Sequence, residues 1–254
     1  PFEKNVDWDK IAKRTVGFSG ADIENMLNEA AILAAREDKK AIDMKGLEEA
    51  ALKVKLGPEK KLKQTKDDLR MTAYHEAGHA VVTYFLKDMD PVHRISIVSR
   101  GGSLGHTLIP PKTDRYTETR SHLVAQITSL LGGRTAENLI FKELTGGAAS
   151  DISRATELAR AMVLKMGMSE LGPINYGPKT DFSDMGINWF EPEQISESMR
   201  SKIDEEVKKI VDKGSQKANE ILVKHKDKLD LVAKELLVRE TLESEEFEAL
   251  MKKA

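Results

Sequence analysis

Cysteine is absent from all 254 residues. Disulfides, thiolate nucleophiles and cysteine-ligated zinc sites are thereby excluded, and any metal must be held by histidine and carboxylate. An excess of charge of one sign is missing too: 40 lysines and arginines face 42 aspartates and glutamates, for a net charge of −2. That balance gives no reason to expect nucleic acid, whose recognition needs a concentrated basic face. No run approaches the ~18 consecutive apolar residues that would span a bilayer. The opening Pro1-Phe2-Glu3-Lys4 does not resemble a signal peptide either. The expectation is a soluble polypeptide without membrane contact of its own. Internal repeats and low-complexity tracts are also lacking.

What is present suits a helical protein. Hydrophobic residues at 40% are enough for a core, and charged residues at 32% suit a well-solvated, helix-rich surface. Ser19 and Asp22 form a capping-box pattern ahead of Ile23, Met26, Leu27, Ala30, Ala31 and Ala34, spaced at the helical period. A second helix is expected over 44–54. Gly57-Pro58 and the polar run after it read as a linker. The domain expectation is therefore a helical unit over 1–57, a linker over 58–66 and a larger domain over 67–254. In the latter, a helix is expected over 68–85 and a strand over 94–99. After the Gly101-Gly102 turn a returning strand is expected over 104–109, stopped by Pro110-Pro111. Single helices are expected over 119–141 and 152–166, then a mobile loop over 172–192. A long amphipathic helix over 192–225 and two shorter ones, 229–237 and 245–251, complete the expectation.

His75-Glu76-Ala77-Gly78-His79 fits the H-E-x-x-H pattern. On a helix the two histidines lie about 40° apart around the axis and roughly 6 Å apart along it, so both rings can reach one ion. Glu76, displaced by about one hundred degrees, can reach a water held by that ion and act as general base in peptide hydrolysis. With six histidines in the chain, chance alone gives roughly a 1% expectation of one such match. The bland reading is two ordinary histidines on a half-buried helix. Gly78 costs about 1 kcal/mol relative to alanine inside a helix, which suggests that something approaches that surface closely.

A catalytic zinc site wants a third protein ligand and one open position. Val82 and Phe85 stand where the extended metzincin pattern requires glycine and histidine, so that subtype is excluded. His93, His106, His122, Glu137, Asp151 and Glu157 remain as candidates. Asp151 follows a glycine-containing loop and opens a helix, a pre-ordered position from which a carboxylate can project. Acids at helix N-termini are also common for the macrodipole alone. Spacing therefore leaves His93 and His106 open beside it, and His122 less so, as a partly exposed helix residue.

The run Thr72-Ala73-Tyr74-His75-Glu76-Ala77-Gly78-His79-Ala80 resembles the active-site helix of FtsH-type AAA+ zinc metalloproteases. Leu131-Gly132-Gly133-Arg134-Thr135-Ala136-Glu137, Thr145-Gly146-Gly147-Ala148-Ala149-Ser150-Asp151 and Met166-Gly167-Met168-Ser169 follow in that family's order. Gly17-Phe18-Ser19-Gly20-Ala21-Asp22-Ile23 is similar to the helical lid of an AAA+ ATPase. The resemblance implies one Zn²⁺ per chain on His75, His79 and Asp151, with Glu76 as the catalytic base. It implies a substrate-lining edge strand at Leu104, Gly105, His106, Thr107 and Leu108, where an extended peptide adds by backbone hydrogen bonds. Glu137 is left outside the site, as a supporting or structural residue.

The fold class expected is mainly α with a small β-sheet (α+β), a helical zincin-like peptidase domain preceded by a small all-helical AAA+ lid. The chain has no P-loop: Gly167 and Gly172 have the glycine spacing, but Pro173 and Ile174 follow. ATP and Mg²⁺ would serve only a full-length protein. For that protein the resemblance implies a membrane-anchored homo-hexamer degrading unfolded polypeptides, with this domain on the cytoplasmic (or matrix or stromal) side. The competing expectation is a catalytically inactive assembly or binding module that keeps the fold.

Overall fold

A computed structural model describes residues 1–60, 62–112, 117–177 and 195–253. Three helices open the chain: α1 (Trp8–Arg14), α2 (Gly20–Arg36) and α3 (Met44–Leu56). The Ser19 hydroxyl accepts from the Asp22 amide and the Asp22 carboxylate accepts from the Ser19 amide, which fixes the start of α2. Met26, Ala30 and Ala34 of α2 then bury against Leu47, Ala50 and Ala51 of α3.

The larger part of the molecule is organised around α4 (Lys66–Phe85). A second capping box, between Thr65 and Asp68, sets its first turn. Every residue from Thr72 to Thr83 is buried, so this stretch of the helix has no solvent face. A helix covered all round belongs at the centre of a domain. Around it pack β1 (Arg94–Ser96), β2 (His106–Leu108), α5 (Arg120–Leu130), α6 (Gly132–Phe141), α8 (Glu197–Lys224) and α9 (Lys226–Arg239). α7 (Ala149–Leu164) lies against α5 and α8, while β3 (Thr241–Glu243) and α10 (Ser244–Lys252) close the chain. The sheet order is β2-β1-β3, both pairings antiparallel, with Ile95 opposite Thr107 on one side and Leu242 on the other. Among the described residues β2 is therefore an edge strand. Among the described residues the fold is mainly α with one small sheet, as the composition and patterning led one to expect.

Several details differ from the sequence expectation. The single helix expected over 119–141 is two, α5 and α6, broken at Leu131 (φ −81°, ψ −5°). Apolar spacing continues unbroken through that point, so periodicity could not reveal it. The strand expected over 94–99 is only three residues long. α1 and β3 were not foreseen: each is too short for its period to stand out. The expected 172–192 loop falls largely on residues 178–194, outside the described residues, as does the expected start of the long helix at Pro192; α8 is described from Glu197.

The α5–α6 break lets α6 approach α4 closely. A Cβ built on Gly78 would lie 2.5 Å from the Gly132 carbonyl oxygen and 2.6 Å from the Ala136 Cβ. Backbone oxygen cannot swing aside, so the helix-propensity cost of Gly78 is offset by contact between the two helices. Gly78→Ala is expected to destabilise the protein by about 1–3 kcal/mol despite alanine's better propensity. Denaturant unfolding checks this, and an unchanged or raised midpoint would contradict the packing account.

Candidate metal centre

His75 and His79 sit one turn apart on α4, both more than nine-tenths buried, with their Nε2 atoms 3.0 Å apart. Asp151 reaches them from the first turn of α7. It follows a 3-10 turn, Gly146–Ala148, that begins where the Thr145 hydroxyl accepts from the Gly147 amide. The Asp151 Oδ2 lies 3.2 Å from each Nε2. α6 covers the same spot: a Cβ on Gly133 would be 2.5 Å from both Nε2 atoms. Only glycine leaves the space between the rings open.

Hydrogen bonds on the far side of each ring decide where its proton is. His79 Nδ1 lies 2.8 Å from the Ser129 carbonyl oxygen, and His75 Nδ1 lies 2.7 Å from Glu137 Oε1. Carbonyl and carboxylate oxygens accept, so both Nδ1 atoms carry hydrogen and donate. In the neutral rings both Nε2 atoms then present lone pairs, aimed with Asp151 Oδ2 at a common point. Three lone pairs converging in a buried space repel unless a positive charge lies among them. An ion held tetrahedrally at 2.0–2.1 Å spaces its ligand atoms by roughly 3.3 Å. The observed 3.0–3.2 Å is close to that. The residues fit a zinc ion on the chemistry of the donor set and on the space Gly133 leaves.

The titration behaviour follows from the same arrangement. Burial opposes protonation of His75, but the carboxylates of Asp151 and Glu137 outweigh it and raise its pKa to about 10. Burial pushes the Asp151 carboxyl up, yet His75 and His79 hold it well below the usual carboxylate range. A proton on His75 and a divalent cation thus answer the same surplus of negative charge. They compete for it.

Glu137, set aside on sequence grounds, holds more of this site together than expected. It is 1% exposed. Besides accepting from His75, it accepts from the Thr145 amide (3.0 Å) and hydroxyl (3.1 Å). One carboxylate therefore fixes a ligand imidazole and pins the loop that carries Asp151. Its i+4 relation to Gly133 on α6 was the available signal, since that places both on one helix face.

Glu76 is buried beside the two histidines. Burial raises its pKa, and the neighbouring His79 and His75 and the Thr107 hydroxyl act against that rise. Its Oε2 lies 2.7 Å from Thr107 Oγ1 on β2. Of the five residues expected to line substrate, His106, Thr107 and Leu108 form the edge strand, Gly105 abuts Glu76 and Leu104 is exposed. Beside β2 is a cavity of about 340 Å³, lined among others by Leu52, Met89, Thr107, Leu108, Ile109 and Leu130.

Among the described residues, the side chains that converge as a possible metal set are His75, His79 and Asp151. His93, His106, His122 and Glu157 stand apart from them. His122, expected to be partly exposed, is buried, with its Nδ1 2.6 Å from the Asp88 carbonyl oxygen. His106 is buried, and among the described residues its two ring nitrogens have no hydrogen-bond partner. Burial first, then Arg94 and Arg100, lowers its pKa to about 4.

Comparison with known proteins came to the same region. Residues 62–250 match peptidase family M41, and residues 5–49 match the AAA+ lid domain. The chain is 49% identical over 255 residues to an ATP-dependent zinc metalloprotease FtsH of Pseudothermotoga lettingae, covering 99% of this chain and 41% of that protein. Identity is 47% over 254 residues to the FtsH of Thermotoga maritima (99% and 42%) and 46% over 253 residues to that of Caldicellulosiruptor bescii (99% and 41%). The chain thus spans about two fifths of the length of these curated relatives.

Glu137→Gln is expected to lower zinc affinity on the order of ten- to a hundredfold, measured by competition with a chromophoric chelator. Unchanged affinity would show that Glu137 does not tune the ligand. A second expectation concerns pH. A folded-state pKa of His75 raised from 6.5 to about 10 gives the metal-free protein stability that is complete below about 6.5 and lost as pH rises toward 10. The melting temperature of chelator-treated protein should fall across that window more steeply than that of zinc-loaded protein. Parallel profiles would contradict the assignment.

Proposed function

The chain belongs to peptidase family M41, and from that premise we propose a zinc-dependent endopeptidase whose metal is held by His75, His79 and Asp151, with Glu76 as general base. The observation that carries the reading is the convergence of both Nε2 atoms and the Asp151 carboxylate to within 3.0–3.2 Å of one another, while each Nδ1 faces an acceptor of its own, Glu137 or the Ser129 carbonyl.

Zinc, when bound, supplies a Lewis acid that acidifies water and polarises a carbonyl. The protein's own groups do the rest. Glu76 takes the proton from the attacking water and returns it to the departing amine. Burial suits it to both tasks, because a carboxylate short of solvent holds a proton more readily. β2 offers the backbone of an edge strand to an extended substrate, which favours recognition of unfolded polypeptide over any particular sequence. The adjoining cavity has room for a substrate side chain.

For the whole protein the reading extends further. The relatives are named as ATP-dependent, and the lid match at the N-terminal side suits a peptidase coupled to an ATPase. The chain contains no P-loop. Nucleotide hydrolysis, with ATP and Mg²⁺, would therefore be the work of another part of the protein. On this reading residues 1–57 are lid, 58–66 linker and 67–254 peptidase, working as a homo-hexamer on unfolded or misfolded proteins. No helix among the described residues is long and apolar enough to cross a membrane. Membrane anchoring, with this domain on the cytoplasmic (or matrix or stromal) side, would rest on other segments.

Glu76→Gln should keep zinc near one per chain while losing cleavage of an unfolded casein-like protein, with metal content and proteolysis measured on one preparation. Retained cleavage would overturn the general-base role. Asp151→Ala should drop bound zinc well below one per chain, and unchanged stoichiometry would overturn Asp151 as the third ligand.

A further inference from the structure

The contact between Glu76 and β2 does more than close the site. Among the described residues, the Thr107 hydroxyl is the only hydrogen-bond donor to the Glu76 carboxylate, at 2.7 Å from Oε2. The same hydroxyl lies 3.3 Å from the Glu76 carbonyl oxygen. A hydroxyl has one hydrogen, and the shorter contact to the charged acceptor takes it. On the other side of the carboxylate, a Cβ at Gly105 would lie 2.8 Å from both Cγ and Oε1 of Glu76, and 2.8 Å from the Ser96 carbonyl oxygen. The segment 105–107, the start of β2 and the glycine before it, therefore borders the Glu76 side chain at two points. One point is a hydrogen bond on Oε2; at the other, the missing Cβ of Gly105 leaves the room that Cγ and Oε1 occupy.

We propose that Thr107 is a positioning residue for Glu76: its hydroxyl occupies Oε2 and so leaves Oε1 as the oxygen that takes and returns the proton. This rests on the zinc-peptidase reading and assigns Thr107 a task other than binding substrate through its side chain. The proton balance is simple. The water oxygen bonds the scissile carbonyl carbon as its O–H bond breaks, the hydrogen bonding to Oε1 and the carbonyl π pair moving onto oxygen until the C–N bond breaks, while Thr107 keeps its own hydrogen throughout. When the peptide C–N bond breaks, the Oε1–H bond breaks in turn and an N–H bond forms on the departing amine. A proton lodged on Oε2 would face Thr107 and be lost to that transfer.

A free carboxylate would also swing between rotamers, which the buried setting alone does not prevent. Fixing it to the strand that aligns the substrate places base and scissile bond in one frame. The substrate would use the open backbone edge of β2, whereas Thr107 turns its side chain toward α4. Removing the hydroxyl should therefore slow chemistry without loosening substrate.

Thr107→Val keeps the side-chain shape and deletes the hydroxyl, and Thr107→Ser keeps the hydroxyl. In Thr107→Val we expect zinc near one per chain, KM for an unfolded substrate or fluorogenic peptide within about twofold of the parent and kcat lower on the order of ten- to a hundredfold. Thr107→Ser should recover most of the lost kcat. A crystal structure of zinc-free Thr107→Val should show the Glu76 carboxylate displaced or in two rotamers, a readout independent of activity. The proposal is overturned if Thr107→Val retains kcat while Glu76→Gln is inactive. It is equally overturned if the loss appears in zinc content or KM instead, or if serine does not restore the rate. Cleavage surviving in Glu76→Gln would defeat the underlying general-base reading, and so is distinguishable from failure of the Thr107 assignment alone.

Discussion

The structure depends on keeping two protons in place. Glu137 and the Ser129 carbonyl each accept from the Nδ1 of a histidine, which turns two buried Nε2 lone pairs toward the carboxylate of Asp151. In a low-dielectric interior that arrangement is costly without a cation or proton to balance it. The rest of the fold serves to hold it. α4 is buried on all sides so that its histidines face protein rather than water. The break at Leu131 brings α6 down with glycine at the contact points, and Glu137 ties the His75 ring to the loop before α7.

The lid helices also join this scheme. Arg14 of α1 is buried, and its Nη2 lies 3.1 Å from both Glu48 of α3 and Glu243 of β3. Arg100 pairs with Glu49 at 2.7 Å. These contacts connect the N-terminal helices with the sheet whose outer strand faces Glu76.

Much of this was legible in the sequence because local chemistry fixes local spacing. Two imidazoles and a carboxylate within five residues have meaning only on a helix, and the Ser19–Asp22 box gives the start of α2 directly. Asp151 was harder. It lies 76 positions from His75, and spacing could not rank it above His93 or His106; family resemblance was needed to favour it. Glu137 stayed outside the expected site since nothing in a linear pattern says which ring nitrogen an acid will meet. The break at Leu131 escaped because leucines on both sides continue the period, and the three residues of β3 are too few to display one. What eluded reading was set by tertiary approach.

The most direct test of the central claim is the zinc coordination shell itself, by X-ray absorption at the zinc edge on metal-loaded protein in solution. This account expects a four-coordinate shell of nitrogen and oxygen scatterers at about 2.0–2.1 Å, with the outer-shell signature of two imidazoles. Three or more imidazoles, or a shell of oxygens with no imidazole signature, would contradict it.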